Sequence, residues 1–357
     1  MFKKNSFDTP LPSWLANTIA IKVLSFFYAS IIKRRNTRYS TKPTLAYQIP
    51  YPVISVGGIR AGGTGKTPSA MLIGELLKTM HREVVFLSRG YKKINKGNFI
   101  AKPGDEISWH NSGDEPAMLH AEHPESWLGI GADRKRNAEE ISKMVGNDAV
   151  FILDDGFQHR KIKRNLDIVC INETLFHDQL LPRGYLREPV ESLSRADVIF
   201  LIGAKDTIDK LSATEQQIAH LYPHLDTYIL TQEPAGWVNV VTGEEKDDLT
   251  ITSPVAVCGI ARPERFFTTL RKSGIFPCRE IVFSDHHRFT LNDFHNFQKL
   301  YSNGTVLTEK DAIRLTEFKS QISNNFWYLK VRLKFYSNDS LKRFNKKLQS
   351  TITFTTK

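Results

Sequence analysis

The run Pro52–Thr67, PVISVGGIRAGGTGKT, constrains this chain more than any other segment. PVISV is a short apolar run of strand length, and a helical pattern runs from Pro68 to Met80. Between them the glycines at 57, 58, 62, 63 and 65 let backbone N–H groups converge on one point. A Gly-rich turn that joins a buried strand to a helix N-terminus suits phosphate oxygens. Arg60, Ala61, Gly62, Gly63, Thr64, Gly65, Lys66 and Thr67 would form the cradle. Lys66 would reach the β- and γ-phosphates of ATP, and the Thr67 hydroxyl would ligate Mg²⁺. The general pattern wants glycine where Arg60 stands.

Four further apolar runs follow, Glu83–Leu87, Ala149–Leu153, Leu166–Ile171 and Asp197–Ile202. Short continuous apolar strands alternating with helical segments indicate a mainly parallel sheet covered on both faces. The fold class is therefore α/β, a P-loop doubly wound domain over residues 48–225. Tyr228–Leu230 and Trp327–Phe335 frame a smaller C-terminal α/β lobe, residues 226–335, as a two-stranded connector. Within it, Val255–Cys258 and Glu280–Phe283 read as strands, and Pro263–Lys272 and Thr290–Tyr301 as helices. Residues 336–357 form a basic C-terminal helix and tail, and 1–47 an N-terminal helix and basic linker.

The net charge of +11 points to an anionic partner. Its excess lies at the ends: Lys3, Lys4, Lys22, Lys33, Arg34, Arg35, Arg38 and Lys42 stand against Asp8 alone before residue 49. Pro12–Ile32 has Trp14, Ile19, Val23, Phe26 and Phe27 at helical spacing, but Lys22 makes it marginal as a membrane span. An amphipathic helix in the membrane interface and an ordinary helix packed on the core both fit. Cys170, Cys258 and Cys278 have no metal-ligand spacing. With no cleavable signal sequence they imply a reducing compartment, with all three thiols buried.

Asp154 and Asp155 end the strand Ala149–Leu153, where a P-loop enzyme keeps its Mg²⁺ carboxylate. A cap or turn role is the alternative. Asp114, in SGDEP, is either the cap of a following helix or a catalytic base. Asp285-His286-His287 suits proton handling better than metal binding, since no third ligand is spaced for it.

Taken in order, VGGIRAGGTGKTP, Ser88-Arg89-Gly90-Tyr91, SGDEP, Gly131-Ala132-Asp133-Arg134, LDDGFQHR, LPRGYLREP, SDHHRF and Thr308-Glu309-Lys310-Asp311 resemble the lipid A 4'-kinase family over nearly the whole chain. The resemblance accounts for Arg60, because that family lacks the first glycine. It implies transfer of the ATP γ-phosphate to the 4'-hydroxyl of an acylated glucosamine disaccharide 1-phosphate, giving lipid IVA. It implies Asp114 as base paired with His286, and Mg²⁺ on Asp154 and Asp155 with help from Glu188. Arg89, Tyr91, Arg134, His159 and Arg187 match positions that contact lipid phosphate or sugar. For Arg89 and Arg187 a structural ion pair is the alternative. The resemblance assigns no role to Thr308–Asp311. A monomeric, peripheral enzyme follows, anchored by its N-terminal helix on the anionic cytoplasmic face of the bacterial inner membrane.

Two rival readings are another P-loop kinase or NTPase and, from a different class, a nucleic-acid-binding ATPase. A GTPase wants Asn/Thr-Lys-x-Asp, and Thr-Glu-Lys-Asp has the wrong order. No basic groove with interleaved aromatics marks the central region, so nucleic acid is not an expected partner.

Overall fold

The first strand, β1 (Val53–Gly57), is wholly buried and lies inside the sheet between β5 (Val150–Asp154) and β6 (Leu166–Ile171), parallel to both. The computed structural model describes residues 18–91, 93, 97–300 and 303–353. Trp14 and the start of the N-terminal helical pattern lie outside the described residues.

Beyond β5 come β2 (Val84–Ser88), β4 (Trp127–Ile130) and the short antiparallel β3 (Phe99–Ala101). Beyond β6 come β7 (Val198–Gly203) and β8 (Asp226–Asn239), both parallel. Alternate side chains serve opposite faces, as strand geometry requires. Ile54, Val56, Ile168, Cys170 and Phe200 join the core under α2 (Lys66–Thr79), whose Ala70, Ile73 and Leu77 are fully buried. Val169, Ile171, Ile199 and Leu201 join the opposite core with Leu211 and Ile218 of α6 (Ile208–Leu221). The doubly wound expectation holds.

The sheet does not stop at β8. That strand pairs antiparallel with β13 (Phe326–Phe335), from Trp327 opposite Asn239 to Phe335 opposite Leu230. From β13 it continues through β12 (Thr305–Thr308), β10 (Val255–Cys258) and the edge strand β11 (Arg279–Val282), each parallel to the last. The expected connector is thus the place where one sheet passes from the larger lobe to the smaller. Helices α7 (Pro263–Lys272), α8 (Leu291–Leu300) and α9 (Glu309–Leu315) belong to the smaller lobe. The chain then returns as α10 (Asn338–Thr353), which packs Phe344, Leu348 and Ile352 into the core beneath α2.

Helix α1 (Ile19–Thr41) runs well past the apolar stretch that announced it. Ile32 is its only buried residue, while Ile19, Phe26, Phe27 and Ile31 are 60–81% exposed. A core-packed helix is therefore not what forms. Its other side grips the body: Tyr28 donates to the Arg187 carbonyl at 2.8 Å and Ser25 to that of Leu180 at 3.2 Å. No helix among the described residues is long and apolar enough to cross a membrane. Cys170 and Cys258 are buried, but Cys278 is exposed, which corrects the expectation of three buried thiols. It sits in the turn before the edge strand, where nothing covers it.

Candidate active site

Helix α2 opens directly from the glycine loop, with Gly65 at φ +81° as its N-cap. That left-handed turn aims the free N–H groups of the first helical turn into the loop. A Cβ on Gly62 or Gly63 would meet nothing within 4 Å, so the space over the loop is open. Gly57 is different: a Cβ there would lie 2.5 Å from the Phe157 nitrogen, so the loop after β5 is pressed against the cradle. Lys66 Nζ lies 3.3 Å from the Gly62 carbonyl and 3.9 Å from Asp155. Thr67 and Thr64 are buried beside it.

Arg60 faces away from this space. Its Nε donates to Asp178 at 2.5 Å and its guanidinium stacks 4.4 Å over Tyr185. Its backbone bridges Leu186, and the next amide donates to the Tyr185 carbonyl. The departure from glycine is therefore a strut, which fastens the cradle to the Asp178–Leu186 segment.

The two carboxylates of β5 differ in what they meet. Asp155, at φ +48°, is gripped by both Nη atoms of Arg187 at 2.7 and 2.8 Å. Burial opposes its ionisation, but Arg187 and Lys66 outweigh that and hold it well below the usual carboxylate range. Asp154 is buried, accepts from the Ser88 hydroxyl at 3.1 Å, and its Oδ1 has no partner. Burial, with the charges of Glu115 and Asp155, pushes it up to about 7. A buried carboxylate with an unpartnered oxygen and two acidic neighbours has the chemistry to accept a cation.

Around this pair stand the expected substrate residues. Arg134 is buried and reaches the Asp155 carbonyl at 3.3 Å. Arg187 is held in the ion pair that was its alternative role. Arg89 is exposed at the end of β2, and Tyr91 is 54% exposed, its ring 5.9 Å from that of His286. Burial and the nearby Arg134 and Arg164 push the His159 imidazole down to about 3, so it is neutral. Glu188 departs from the metal-helping role. One oxygen accepts from Asn36 of α1 at 2.6 Å, the other from Gln158 at 2.9 Å, and Arg195 pairs with it at 3.1 Å. Neither oxygen is free for a metal.

Asp114 is the first residue of α4 (Asp114–Glu122), with Gly113 as N-cap, so it does not cap that helix in the expected way. Its Oδ2 accepts from His286 Nδ1 at 2.8 Å and from Arg314 Nη2 at 2.6 Å, and its Oδ1 accepts from the Glu115 amide. Burial opposes its charge, but the His286 hydrogen bond and the cations Lys310 and Arg314 hold it well below the ordinary range. The Asp–His pairing expected across the lobes is present. Arg314 and Lys310 carry no such mark in the sequence, beyond the Thr308–Asp311 motif in which Lys310 stands. Among the described residues no cluster of three or more His, Cys, Asp or Glu could cage a metal.

A glycine cradle at the end of a parallel strand, with the Asp154–Asp155 carboxylate pair at the end of the neighbouring strand, defines a P-loop phosphotransferase. Known proteins narrow the class. Residues 17–352 match the family described as tetraacyldisaccharide-1-P 4'-kinase (LpxK). The tetraacyldisaccharide 4'-kinase of Porphyromonas gingivalis W83 is 33% identical over 333 residues, 88% of this chain and 92% of that one. That of Chlorobium phaeovibrioides is 36% identical over 310 residues, covering 84% and 87%. The crystal structure of Aquifex aeolicus LpxK in complex with ATP superposes with a TM-score of 0.74 at 30% identity, over 92% of this chain and 98% of that one. The chain belongs to the tetraacyldisaccharide-1-P 4'-kinase family.

Proposed function

We propose that this protein transfers the γ-phosphate of ATP to the 4'-hydroxyl of a tetraacyldisaccharide 1-phosphate, the step of lipid A synthesis that yields lipid IVA. The observation that carries the site assignment is on α4. Asp114 is bound by the smaller lobe, while its neighbour Glu115 lies close enough to raise Asp154 beside the phosphate loop. One helix turn therefore joins the acceptor side to the phosphate side.

The glycine loop and Lys66 hold the β- and γ-phosphates. The acceptor oxygen forms its bond to the γ-phosphorus as the bridge to the β-phosphate breaks, and ADP leaves. The hydroxyl proton passes to Asp114. Oδ2 is saturated by His286 and Arg314, so Oδ1 is the accepting atom. A carboxylate this acidic is a weak base, and that suffices where the transition state is loose and the nucleophile is little activated. Thr67 and Asp154 would hold Mg²⁺, which when bound neutralises phosphate charge. Asp154 fits this better than Asp155, whose two oxygens are taken by Arg187. Arg89, Arg134 and Tyr91 would meet the anionic acceptor.

The exposed apolar side of α1 supports attachment to a lipid surface, with Lys33, Arg34 and Arg38 supplying positive charge on the same helix. The surface we infer is the cytoplasmic face of the inner membrane. Incubation with radiolabelled ATP and tetraacyldisaccharide 1-phosphate should put label into a lipid product, and Asp114→Asn should slow this by at least about a hundredfold. Label that never leaves ATP, or goes only to water, would refute the reading.

A further inference from the structure

The tip of α9 brings a third ionisable side chain to the Asp114–His286 pair. Lys310 Nζ lies 3.3 Å from His286 Nε2, 3.7 Å from Asp114 Oδ2, 3.7 Å from Asp285 Oδ1 and 4.0 Å from Glu115 Oε1. Its side chain is 20% exposed, so the ammonium faces this cluster rather than bulk water. An ammonium has only donors, and at 3.3 Å it is nearer to His286 Nε2 than Asp285 Oδ2 is at 3.7 Å, so it faces Nε2 as the bare, accepting nitrogen. The other nitrogen, Nδ1, must then carry the proton that binds Asp114.

The motif Thr308–Asp311 explains why Lys310 stands there. The Thr308 hydroxyl accepts from the Asp311 amide and caps α9. Asp311 is fully buried and turns back to take the Gly259 amide at 3.0 Å, the Thr308 hydroxyl at 2.5 Å and Arg314 at 3.0 Å. Gly259 in turn accepts the backbone amide of His286 at 3.2 Å, at a residue held in the left-handed region with φ +61°. Such a conformation is costly outside glycine and persists only where the surroundings impose it. Thr308, Asp311 and Gly259 thus seat the lysine and the imidazole in one rigid unit.

We propose that Lys310 is a positioning residue of the phosphoryl transfer: it donates to Nε2 of His286 and locks the ring as the Nδ1–H tautomer that orients Asp114. The chain Lys310–His286–Asp114 then sets the imidazole between a cation and an anion. The groups facing it are Asp114 and Glu115 on α4, Asp285 beside it, Lys310 and Arg314 on α9, and Tyr91 from the loop after β2. The rate consequence rests on the kinase reading above; the tautomer does not.

Nitrogen-15 NMR of the full chain labelled at histidine tests both, with His286 assigned by the signal lost in His286→Gln. The wild type should show His286 protonated at Nδ1 and bare at Nε2 near neutral pH. Lys310→Met should give mixed tautomers, lower kcat by about 10- to 100-fold with KM for ATP unchanged, and alter the pH–rate profile; Lys310→Arg should recover part of the rate. A wild-type ring protonated at Nε2 would overturn the proposal even if no variant folds. So would a Lys310→Met protein with unchanged tautomer and pH profile, which leaves only a structural ion pair. An inactive wild type with the Nδ1–H tautomer intact would count against the kinase reading instead, and leave the lock standing.

Discussion

Asp154 and Asp155 are chain neighbours of the same type, yet their environments separate them. Asp155 is paired with Arg187, while Asp154 keeps a buried oxygen without a partner. Raised to about 7, Asp154 binds a proton in the folded state at pH values where the unfolded chain has already released it. Stability from this group therefore falls as pH rises from about 4 to 7, and stays at its low value above that. Asp154→Asn should remove that penalty. In the nucleotide-free protein at pH 8 we expect it to raise stability by on the order of 1 kcal/mol or more, with a flatter pH profile by calorimetry. The same variant should lose nearly all turnover. Lys66→Ala should also abolish turnover at ordinary ATP, without lowering the melting temperature appreciably; retained turnover would contradict the cradle.

Helix α1 shows how an element can be half legible. Its apolar spacing announced a helix, and its basic end announced a charged surface. The spacing could not say which side meets the body, because polar side chains make those contacts. Ser25, Tyr28 and Asn36 reach Leu180, Arg187 and Glu188, and Arg35 reaches the Gln158 carbonyl. The large apolar side chains point outward. The triple change Phe26→Ser, Phe27→Ser and Ile31→Ser should lower binding to anionic vesicles by at least about a hundredfold, given roughly 1.5–3 kcal/mol for each buried side chain. Melting should hardly change, since these side chains are 60–70% exposed. Other elements were illegible for simpler reasons. Strand β4 is only WLGI, and α5 (Arg134–Ile141) reads RKRNAEEI, too short and too polar for a periodic signal. Glu188 carried the charge expected of a metal helper, but only the docking of α1 shows that both its oxygens are spent.

At the scale of the whole molecule, one sheet runs through both lobes, and a few charged side chains tie the helices beside it together. Arg332 on β13 is one of them. Its Nε donates to Glu122 of α4 at 3.0 Å, and its Nη atoms bind Glu309 of α9 at 2.7 and 3.0 Å. These are the two helices that carry Asp114 and Lys310. Burial opposes the guanidinium charge, but the two carboxylates hold its pKa above the ordinary value. Arg332→Met would leave two carboxylates facing each other, so the urea midpoint should fall by the equivalent of about 3 kcal/mol at constant slope. Turnover should fall with it, because the base and its partners sit on opposite sides of this joint; unchanged stability would show that the joint is held elsewhere.

What the sequence determined alone were the local matters: most of the parallel strands, the glycine cradle, the carboxylates at the end of β5, and a set of motifs specific enough to point to a family. Each depends on residues close together in the chain, where glycine conformation, side-chain periodicity and helix capping act directly. Only the tertiary structure decided the roles that depend on distant partners. Arg60 became a strut because Asp178 and Tyr185 come to it, Asp154 rather than Asp155 kept a free oxygen because Arg187 takes the other, and Asp114 met its cations. Arg314 lies 200 positions from Asp114 and binds it at 2.6 Å. No local spacing encodes that contact, since it exists only once the sheet has carried the smaller lobe round to face the larger.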